Sequence, residues 1–527
     1  MAEVPPPEEE LEERVRRIVS EELVPPSPIA LDERFTDRGV DSLLAIRIVG
    51  RLRQDLRTPL TTAALFQQPT PRLLAKHLDE VRASGQADDA IEPLPSREGA
   101  LAVSFEQQAI WFHEQLSPKD QTNAHDQDML RLDLARRLDR GALEHAIAAM
   151  IERHEILRTT YESAGGLPKQ RVNAAPPIAI AYSAAQNDVE LEAISRATAA
   201  LRCDLKRGPL LRAHLVTLNE ERHVLFVKIH HIAFDGWSAN LFARELSITY
   251  EAHVAGVKPT LPALPLQYAD HAAHQRHSEE TGRLAPALAW WKERLGSAPA
   301  SNLPTDQPRP KRATYRATSL RWELESSLAR SLREQARREG VTLYTLLASA
   351  VACVVARAVS SEDVVLGMLT AGRADRQVHD LIGCFLNVLP LRLDVGGRPK
   401  PSELVQRTKR AIDDAFAHDV PFDTLLRALA RPRTEGPLFE VSVVMEVPVA
   451  HTEGDAFTVD WVLNDHDPAT APMLVFMFIE HGDRLTCRIV YKRDLFDEAR
   501  IGRLRAHLIA ILAAVGAGRD DHEALSG

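Results

Sequence analysis

The stretch HHIAFDGWS, residues 230–238, joins a strand-like run to a helical one and decides how the longer part of the chain is organised. The run VLFVKI before it is rich in Val, Phe and Ile, and ANLFARELSITYEA after it has helical spacing. Side chains of neighbouring strand residues point to opposite faces, so only one of His230 and His231 faces a given cavity. Gly236 is predicted to permit a sharp turn at which a side chain would clash.

A histidine at the end of a strand, held by a loop and a helix, suits proton transfer because an unperturbed imidazole titrates near neutrality. Asp235, four residues after His231, is placed to bond an arginine and brace the loop. The residues alone leave a second interpretation open, in which both histidines belong to a core. The chain has 20 histidines in 527 residues, so a His-His pair is expected about once by chance, and only the added Asp and Gly make the pattern rare.

Residues 100–527 mix helical and strand-like patterns, which predicts an α/β body too large for one set of layers and therefore two lobes. We place the first lobe at 100–270 and the second at 271–527. The predicted helices are Glu106–Leu116, Arg140–His154, Ser238–Val254, Leu324–Glu339 and Pro401–Phe416. The predicted strands are His223–Ile229, Asp363–Leu369 and Phe439–Met445.

Residues 230–238 resemble the HHxxxDG signature of condensation domains from nonribosomal peptide synthetases, which chloramphenicol acetyltransferase and other CoA-dependent acyltransferases share in looser form. Further motifs of that family are matched in order by SFEQQAIWFHEQL (104–116), RHEILRTTY (153–161), YAD (268–270), IGCFLNVLPLR (382–392) and HDVPFD (418–423). Two positions depart from the family. His271 stands where Tyr is usual, and the last motif, RPRTEGPL (431–438), lacks the usual Asp and Asn.

This resemblance implies both a fold and a chemistry. Two lobes of similar α/β design meet in a V with a tunnel between them, and donor and acceptor thioesters enter from opposite faces. They meet at His231, which either takes a proton from the attacking amine or orients it, with His230 and Gly236 completing the motif. Asp235 is then structural and pairs with an arginine, for which the candidates are Arg373 and Arg153.

The first 84 residues form a different unit, because they show no strand-like alternation. Apolar residues recur at helical spacing up to the prolines that begin at Pro25, again from Ser42, and again after Pro71. This pattern predicts a small helical bundle. The following segment, residues 85–99, is small, acidic and Pro-containing, and we interpret it as a linker.

The segment GVDSL, residues 39–43, has two interpretations. Ser42 follows a turn and opens a helix, so it is a candidate N-cap residue. GVDSLLAIRIVGRL also resembles the attachment motif of carrier proteins, and LFQQPTPRLLAKHL (65–78) resembles the end of the same domain. The resemblance implies an all-α four-helix carrier at 1–84, with 4′-phosphopantetheine attached covalently to Ser42. GVDSL is more similar to polyketide-type acyl carriers, which favours a fatty acyl or polyketide donor.

Composition excludes several classes of partner and site. The net charge is −10 without a long Lys/Arg block, which argues against nucleic-acid or anionic-membrane partners. The N-terminus MAEVPPPEEE is unlike a signal peptide. No apolar run approaches about 18 residues, so we expect a cytoplasmic protein without a membrane span. The cysteines are far apart and form no CxxC pair, so we expect buried free thiols and no metal site; they are Cys203, Cys353, Cys384 and Cys487.

Some suggestive patterns are better explained without a functional site. The neighbouring Trp290 and Trp291 fit core packing. Histidines at 271, 274 and 277 have no acidic or Cys partner in their pattern, which favours an exposed helix face over a metal site. The sequence EHGD at 480–483 fits a hairpin turn.

Together the motifs predict an enzyme that forms an amide between a carrier-bound acyl or peptidyl thioester and an aminoacyl thioester on a second carrier protein. Its partners would include a phosphopantetheinyl transferase and neighbouring modules of an assembly line. Three alternatives remain open: ester formation, acylation of a soluble amine by the same fold, and a non-catalytic domain that only docks carriers.

Overall fold

The computed structural model describes residues 10–23, 25–40, 42–56, 58, 60, 62–83, 90–116, 129–177, 180–299, 301–310, 316–432, 436–446, 457–461 and 472–525. The helices are α1 (Leu11–Glu22), α2 (Ser42–Leu56), α3 (Thr62–Gln67), α4 (Pro71–Ala83), α5 (Phe105–Leu116), α6 (Arg140–Arg153), α7 (Asp188–Ala199), α8 (Gly236–Val254), α9 (Tyr268–Glu280), α10 (Ala285–Leu295), α11 (Ser326–Glu339), α12 (Leu343–Val359), α13 (Pro401–Ala417), α14 (Phe422–Leu429) and α15 (Glu498–Gly516). Short 3-10 turns lie at Phe35–Arg38, Glu155–Arg158, His231–Ala233 and Arg376–Val378.

The strands are β1 (Leu101–Ala102), β2 (Met129–Leu134), β3 (Thr159–Ala164), β4 (Leu167–Val172), β5 (Ile180–Ala184), β6 (Leu211–Asn219), β7 (Arg222–Ile229), β8 (Ala317–Leu324), β9 (Asp363–Thr370), β10 (Asn387–Asp394), β11 (Val441–Glu446), β12 (Thr458–Trp461), β13 (Leu474–His481) and β14 (Arg484–Lys492). Within the described ranges they form sheets of three, five and six strands.

Helices α1 to α4 form one small bundle around a core of their own. Val15, Ile18, Ile48, Leu52 and Leu78 are fully buried in it. Burying each such side chain contributes about 1.5–3 kcal/mol, which is how helical spacing in the sequence becomes a packed bundle. The predicted all-α fold of this unit is confirmed.

The first lobe is built on the five-stranded sheet, in the order β12-β2-β7-β6-β5. Its pairs are antiparallel except β5 with β6, which is parallel. Helices α6 and α8 pack against each other beside this sheet and share its core. Asp139 caps α6 by accepting a hydrogen bond from the backbone N–H of Ala142 at 2.9 Å, which fixes where that helix begins.

The second lobe is built on the six-stranded sheet, in the order β10-β9-β11-β13-β14-β8. Strand β11 runs parallel to both β9 and β13, and the other pairs are antiparallel. Helix α12 is buried along most of its length between this sheet and the helices α11, α13 and α15. The predicted two-lobed α/β architecture is confirmed.

The first lobe takes segments from the second half of the chain, so the boundary predicted at 270/271 needs correction. That boundary falls inside helix α9, and β12, from the second half of the chain, pairs with β2 of the first lobe. Residues 378–385 also contribute Leu381, Ile382 and Phe385 to the first lobe's core. Because of this long-range strand pairing and packing, the two lobes do not correspond to two consecutive stretches of the sequence.

Most local predictions match the structure within two residues. The eight helices and strands predicted above begin and end within that margin. In the segment 480–483, Glu480 and His481 end β13, and Gly482, at φ +56°, forms the hairpin turn to β14 with Asp483. Trp291 is buried with 1% exposure, and the four cysteines are buried free thiols. No single helix in the described ranges is long and apolar enough to cross a membrane, and α11 with α12 meet that test only as a pair bent by 103°.

The expectation of an exposed face for the α9 histidines is wrong for His271. Its ring is buried, with its centroid 5.6 Å from that of Tyr268 and 4.7 Å from that of Phe385. Burial, together with the charges of His274 and Arg373, lowers the pKa of His271 to about 3. The aromatic partner Phe385 comes from a distant segment, so the local pattern gave no sign of it.

Candidate active site

The two adjacent histidines have different environments. His230 directly follows β7 and is fully buried, and its Nδ1 accepts a hydrogen bond from the backbone N–H of Ile232 at 3.1 Å. A neutral ring that accepts at Nδ1 carries its proton on Nε2, which lies 3.7 Å from the Glu114 carboxylate. His230 therefore acts as a core residue that shapes the turn after the strand.

His231 is the first residue of the 3-10 turn that follows, and it is partly exposed. Helix α5 packs against this turn, and the backbone N–H of Phe234 donates to the carbonyl of His231 at 3.1 Å. Of the two histidines, only His231 reaches the surface; both lie beyond the end of β7, so the 3-10 turn, and not alternation along the strand, gives them different environments.

Asp235 is a fully buried residue that organises the motif loop, residues 230–238. It caps α8 by accepting from the backbone N–H of Ser238 at 2.7 Å, and it accepts from the backbone N–H of Phe385 at 3.0 Å. A terminal nitrogen of Arg373 lies 3.2 Å from each of its carboxylate oxygens. Asp235 thus faces away from solvent and joins the first lobe to the segment that crosses from the second.

Arg373 is itself fully buried and satisfied mainly by backbone carbonyls. One terminal nitrogen donates to the carbonyls of Val378 and Leu381, both at 2.7 Å, and the other donates to the Ser238 hydroxyl at 3.0 Å. Burial lowers the pKa of this guanidinium, and the charge of Asp235 opposes that effect. The pair is a charged centre inside an otherwise apolar core.

The second candidate partner of Asp235, Arg153, does not contact it. Arg153 bonds both carboxylate oxygens of Glu245, at 2.9 and 3.2 Å, and the same carboxylate lies 2.8 Å from Nε2 of His154. Arg153 is the last residue of α6, and its side chain binds Glu245 in α8 instead of the motif loop. Its prediction as a partner of Asp235 is wrong.

The role predicted for Gly236 also needs correction. A Cβ built on this residue has no neighbour within 4 Å, and its φ does not lie in the left-handed region. Gly236 is the exposed first residue of α8, so neither the turn nor the packing requires a glycine. The glycine that the backbone does require is Gly372, at φ +61°, where a Cβ would overlap the carbonyl oxygen of Phe385.

Two acids with a raised pKa, Glu106 and Asp419, were not predicted from the sequence, although both lie in motifs quoted above. Desolvation by the surrounding protein, together with the charge of Asp419, raises the pKa of Glu106 to about 7, and desolvation raises that of Asp419 to about 6. Glu106 accepts from the amide of Gln275 at 3.2 Å, and Asp419 accepts from that of Asn387 at 2.8 Å. Each acid accepts from a neutral side-chain amide, which offsets only part of the desolvation, and no spacing in the sequence signals this.

The carrier unit presents Ser42 as the first residue of α2. Residue 41 and the side chain of Ser42 lie outside the described residues. The preceding turn contains Gly39 at φ +75°, with open space around it, and helix N-termini favour phosphate groups. The start of α2 therefore fits a covalently attached phosphopantetheine.

Comparison with protein families finds two matches, which divide the chain between them. The model described as "Condensation domain" matches residues 97–523, and the one described as "Phosphopantetheine attachment site" matches residues 13–78. Among curated proteins, one of the linear gramicidin synthase proteins of Brevibacillus parabrevis is 34% identical over 500 residues, covering 92% of this chain and 10% of the relative. Phosphinothricin tripeptide synthetase PhsB of Streptomyces viridochromogenes is 31% identical over 512 residues, covering 92% of this chain and 42% of the relative.

Solved structures show the same fold. The X-domain from teicoplanin biosynthesis has a TM-score of 0.72 and 26% identity, and the match covers 82% of this chain and 98% of that one. The starter condensation domain of rhizomide synthetase RzmA has a TM-score of 0.68 and 20% identity, covering 80% and 96%. The chain spans 10% of the length of the first curated relatives it matches, so it corresponds to one carrier and one condensation unit of much longer proteins.

Proposed function

Because the chain belongs to the condensation-domain family of nonribosomal peptide synthetases and has a phosphopantetheine carrier domain before that domain, we propose that it joins two thioesters through an amide bond. The donor is an acyl or peptidyl thioester on the chain's own carrier, and the acceptor is an aminoacyl thioester on a second carrier protein. The observation that carries the proposal is the contrast between a buried His230 and a partly exposed His231 on a loop locked by Asp235 and Arg373.

His231 is the proposed catalytic residue. The amine nitrogen of the acceptor attacks the carbonyl carbon of the donor thioester, so that a C–N bond forms and the C–S bond breaks. The imidazole of His231 takes the proton that the amine loses, and the thiolate that leaves is protonated to a thiol. Proton transfer by a positioned group of this kind contributes about 10²–10⁴-fold to a rate.

Asp235 and Arg373 are proposed as positioning residues rather than catalytic ones. Their buried ion pair fixes the loop on both sides, because Asp235 caps α8 and Arg373 holds the segment that crosses from the second lobe. Gly236 is proposed to keep the surface at the start of α8 free of a side chain, since open space surrounds it. That space is then available to a substrate that approaches His231.

Ser42 is the proposed attachment residue for 4′-phosphopantetheine, which supplies the thiol that carries the donor. A phosphopantetheinyl transferase is therefore a required partner, and neighbouring assembly-line modules are proposed to supply the acceptor. The resemblance of GVDSL to polyketide-type carriers favours a fatty acyl or polyketide donor.

The test follows the mass of the carrier and of the product. Incubation with a phosphopantetheinyl transferase and an acyl-CoA is expected to add one acylated arm to the chain, and Ser42→Ala is expected to abolish that addition. An aminoacyl carrier protein is then supplied, and the expected product is its amide. Amine and alcohol nucleophiles in solution are supplied in parallel.

The outcomes separate the alternatives. Amide formed only on the carrier-bound acceptor supports the proposal, whereas an ester, or faster acylation of the soluble amine, assigns the chain to the corresponding alternative. A loaded carrier that never transfers its acyl group to any nucleophile identifies a docking domain and overturns the enzymatic assignment. Substitution of the exposed His277 by Ala is the matched control for changes at His231.

A further inference from the structure

One short segment, residues 375–379, contacts three separate parts of the molecule, and we call it the seat segment. It contains the 3-10 turn Arg376–Val378 and follows Arg373, the partner of Asp235, in the chain. The mechanism proposed above does not use it. Its contacts run to the carrier domain, to the linker and to the motif loop.

The carrier contact centres on Gly50 in helix α2. A Cβ built on Gly50 would lie 2.8 Å from Cε1 of His379 and 2.9 Å from Cβ of Arg376, so the helix backbone packs directly on the seat segment. Such distances do not occur between real Cβ atoms and their neighbours, and any side chain at residue 50 would push the surfaces apart. Gly50 thus has a packing role at an interface between domains.

Ion pairs flank this contact. Arg53 of α2 lies 3.6 Å from the carboxylate of Asp375, and both side chains are largely buried. Glu22 at the end of α1 lies 3.8 Å from Arg376. Charges of opposite sign therefore face each other on both sides of Gly50, which gives the carrier a defined orientation.

The linker is held by the same segment. The backbone N–H of Ile91 donates to the side-chain oxygen of Gln377 at 2.9 Å, and the amide nitrogen of Gln377 donates to the carbonyl of Ile91 at 3.2 Å. This reciprocal pair fixes the middle of the linker, at Ile91, next to the carrier contact. The chain that leaves the carrier is thus tied down beside the surface on which the carrier sits.

The motif loop is bonded to the other side of His379. The indole N–H of Trp237 donates to the carbonyl of His379 at 2.9 Å, and Nε2 of His379 lies 2.9 Å from the carbonyl oxygen of Arg373. A carbonyl only accepts, so Nε2 carries the proton and donates. Burial, assisted by the charges of Arg373, Arg376 and the carrier's Arg47, lowers the pKa of His379 to about 4, which keeps this tautomer neutral.

We propose that the seat segment is the docking site for the chain's own carrier, and that His379 is a positioning residue that couples the docked carrier to the motif loop. This inference rests on the proposed function, because docking matters only if the carrier delivers a donor to His231. Ser42 lies eight residues before Gly50 in α2, or about 12 Å along the helix axis. Seating Gly50 on His379 therefore fixes where the attachment residue stands relative to the motif.

The first test is Gly50→Ala in the full chain. Alanine raises the intrinsic stability of a helix relative to glycine by about 0.5–1 kcal/mol, so a loss of function cannot come from an unfolded carrier. The control is Gly502→Ala in α15, where a Cβ has no neighbour within 4 Å. Each variant is loaded at Ser42 and assayed with its own acyl carrier as donor and, separately, with the same acyl group as a soluble thioester.

We expect Gly50→Ala to lower transfer from its own carrier by at least about tenfold, since the donor then relies on tethering alone, and to leave transfer from the soluble thioester within about twofold. The control should match the wild type with both donors. Equal rates for Gly50→Ala and the control, or equal losses with both donors, would overturn the docking proposal.

A second readout does not depend on activity. Amide hydrogen exchange in residues 375–379 of the full chain is expected to speed up about tenfold in Gly50→Ala and to remain unchanged in Gly502→Ala. If the wild type forms no amide from either donor, the proposed function fails, and the exchange data still decide whether the carrier docks here. Unchanged exchange in Gly50→Ala refutes docking, whatever the chemistry.

The coupling role of His379 is tested by two substitutions. His379→Gln offers a side-chain N–H for the Arg373 carbonyl, whereas His379→Leu offers none. We expect His379→Leu to lower kcat with the carrier-bound donor several-fold more than with the soluble thioester, and His379→Gln to recover most of that difference. A purely structural role predicts equal losses with both donors, and that result would remove the coupling.

Discussion

Removing Asp235 should release the motif loop and show how much the buried ion pair with Arg373 contributes to the free energy of unfolding. Asp235→Ala leaves the guanidinium of Arg373 fully buried and without its carboxylate. Breaking a buried pair in this way costs about 3–5 kcal/mol, and losing the cap on α8 costs about 1 kcal/mol more. We therefore expect the free energy of unfolding to fall by about 4–6 kcal/mol.

The assay is urea unfolding followed by tryptophan fluorescence. All six tryptophans follow residue 110, so the signal reports the condensation domain and not the carrier. Arg373→Met is the matched variant, and the double variant completes a cycle. If the two charges stabilise each other, the double variant should be only slightly less stable than the worse single variant, with a coupling of about 3 kcal/mol.

Two results would refute this reasoning. A loss below about 1 kcal/mol in Asp235→Ala would mean that the carboxylate is not holding a buried charge. Strictly additive losses in the double variant would mean that Asp235 and Arg373 act independently, in spite of their 3.2 Å contacts.

Further predictions concern an acid and two glycines. Desolvation raises the pKa of Glu106 from 4.5 to about 7, so the stability that its protonated carboxyl contributes is present below pH 4.5 and is lost as pH rises toward 7. Glu106→Gln should therefore raise the unfolding free energy by on the order of 3 kcal/mol at pH 8 and have little effect at pH 4. Equal effects at the two pH values would contradict this. Gly372→Ala should destabilise the chain by at least about 2 kcal/mol, because its φ is +61° and its Cβ would overlap the Phe385 carbonyl; a wild-type melting temperature would show the overlap to be harmless. Gly236→Ala should leave the melting temperature unchanged and lower amide formation, and wild-type turnover would remove Gly236 from the site.

The elements of the fold were predictable because their signals are local. Apolar spacing placed the helices and strands within two residues, and the two-residue shift at the start of α8 arises because Asp235 caps the helix before the apolar pattern begins. The contrast between His230 and His231 was expected from strand alternation, but it arises from the 3-10 turn that begins at His231, after β7 has ended. Arg373 was identifiable as a candidate partner of Asp235, although nothing in the sequence alone separated it from Arg153.

Features that depend on distant segments were not predictable. Strand β12 pairs with β2, which lies more than 300 residues earlier in the chain, and no residue in Thr458–Trp461 indicates which sheet this strand joins. The burial of His271 depends on Phe385, and the docking contact of Gly50 depends on His379. In each case the partner is specified by tertiary packing, which composition and periodicity do not encode.

The central claim is tested most directly by the single-turnover rate of amide formation in His231→Ala. The loaded full-length chain is mixed with an aminoacyl carrier protein, and product is followed by mass over time, with the surface substitution His277→Ala as control. We predict that His231→Ala slows amide formation by about 10²–10⁴-fold while loading at Ser42 is unchanged. Wild-type product formation by His231→Ala would contradict the assignment of this imidazole as the catalytic group.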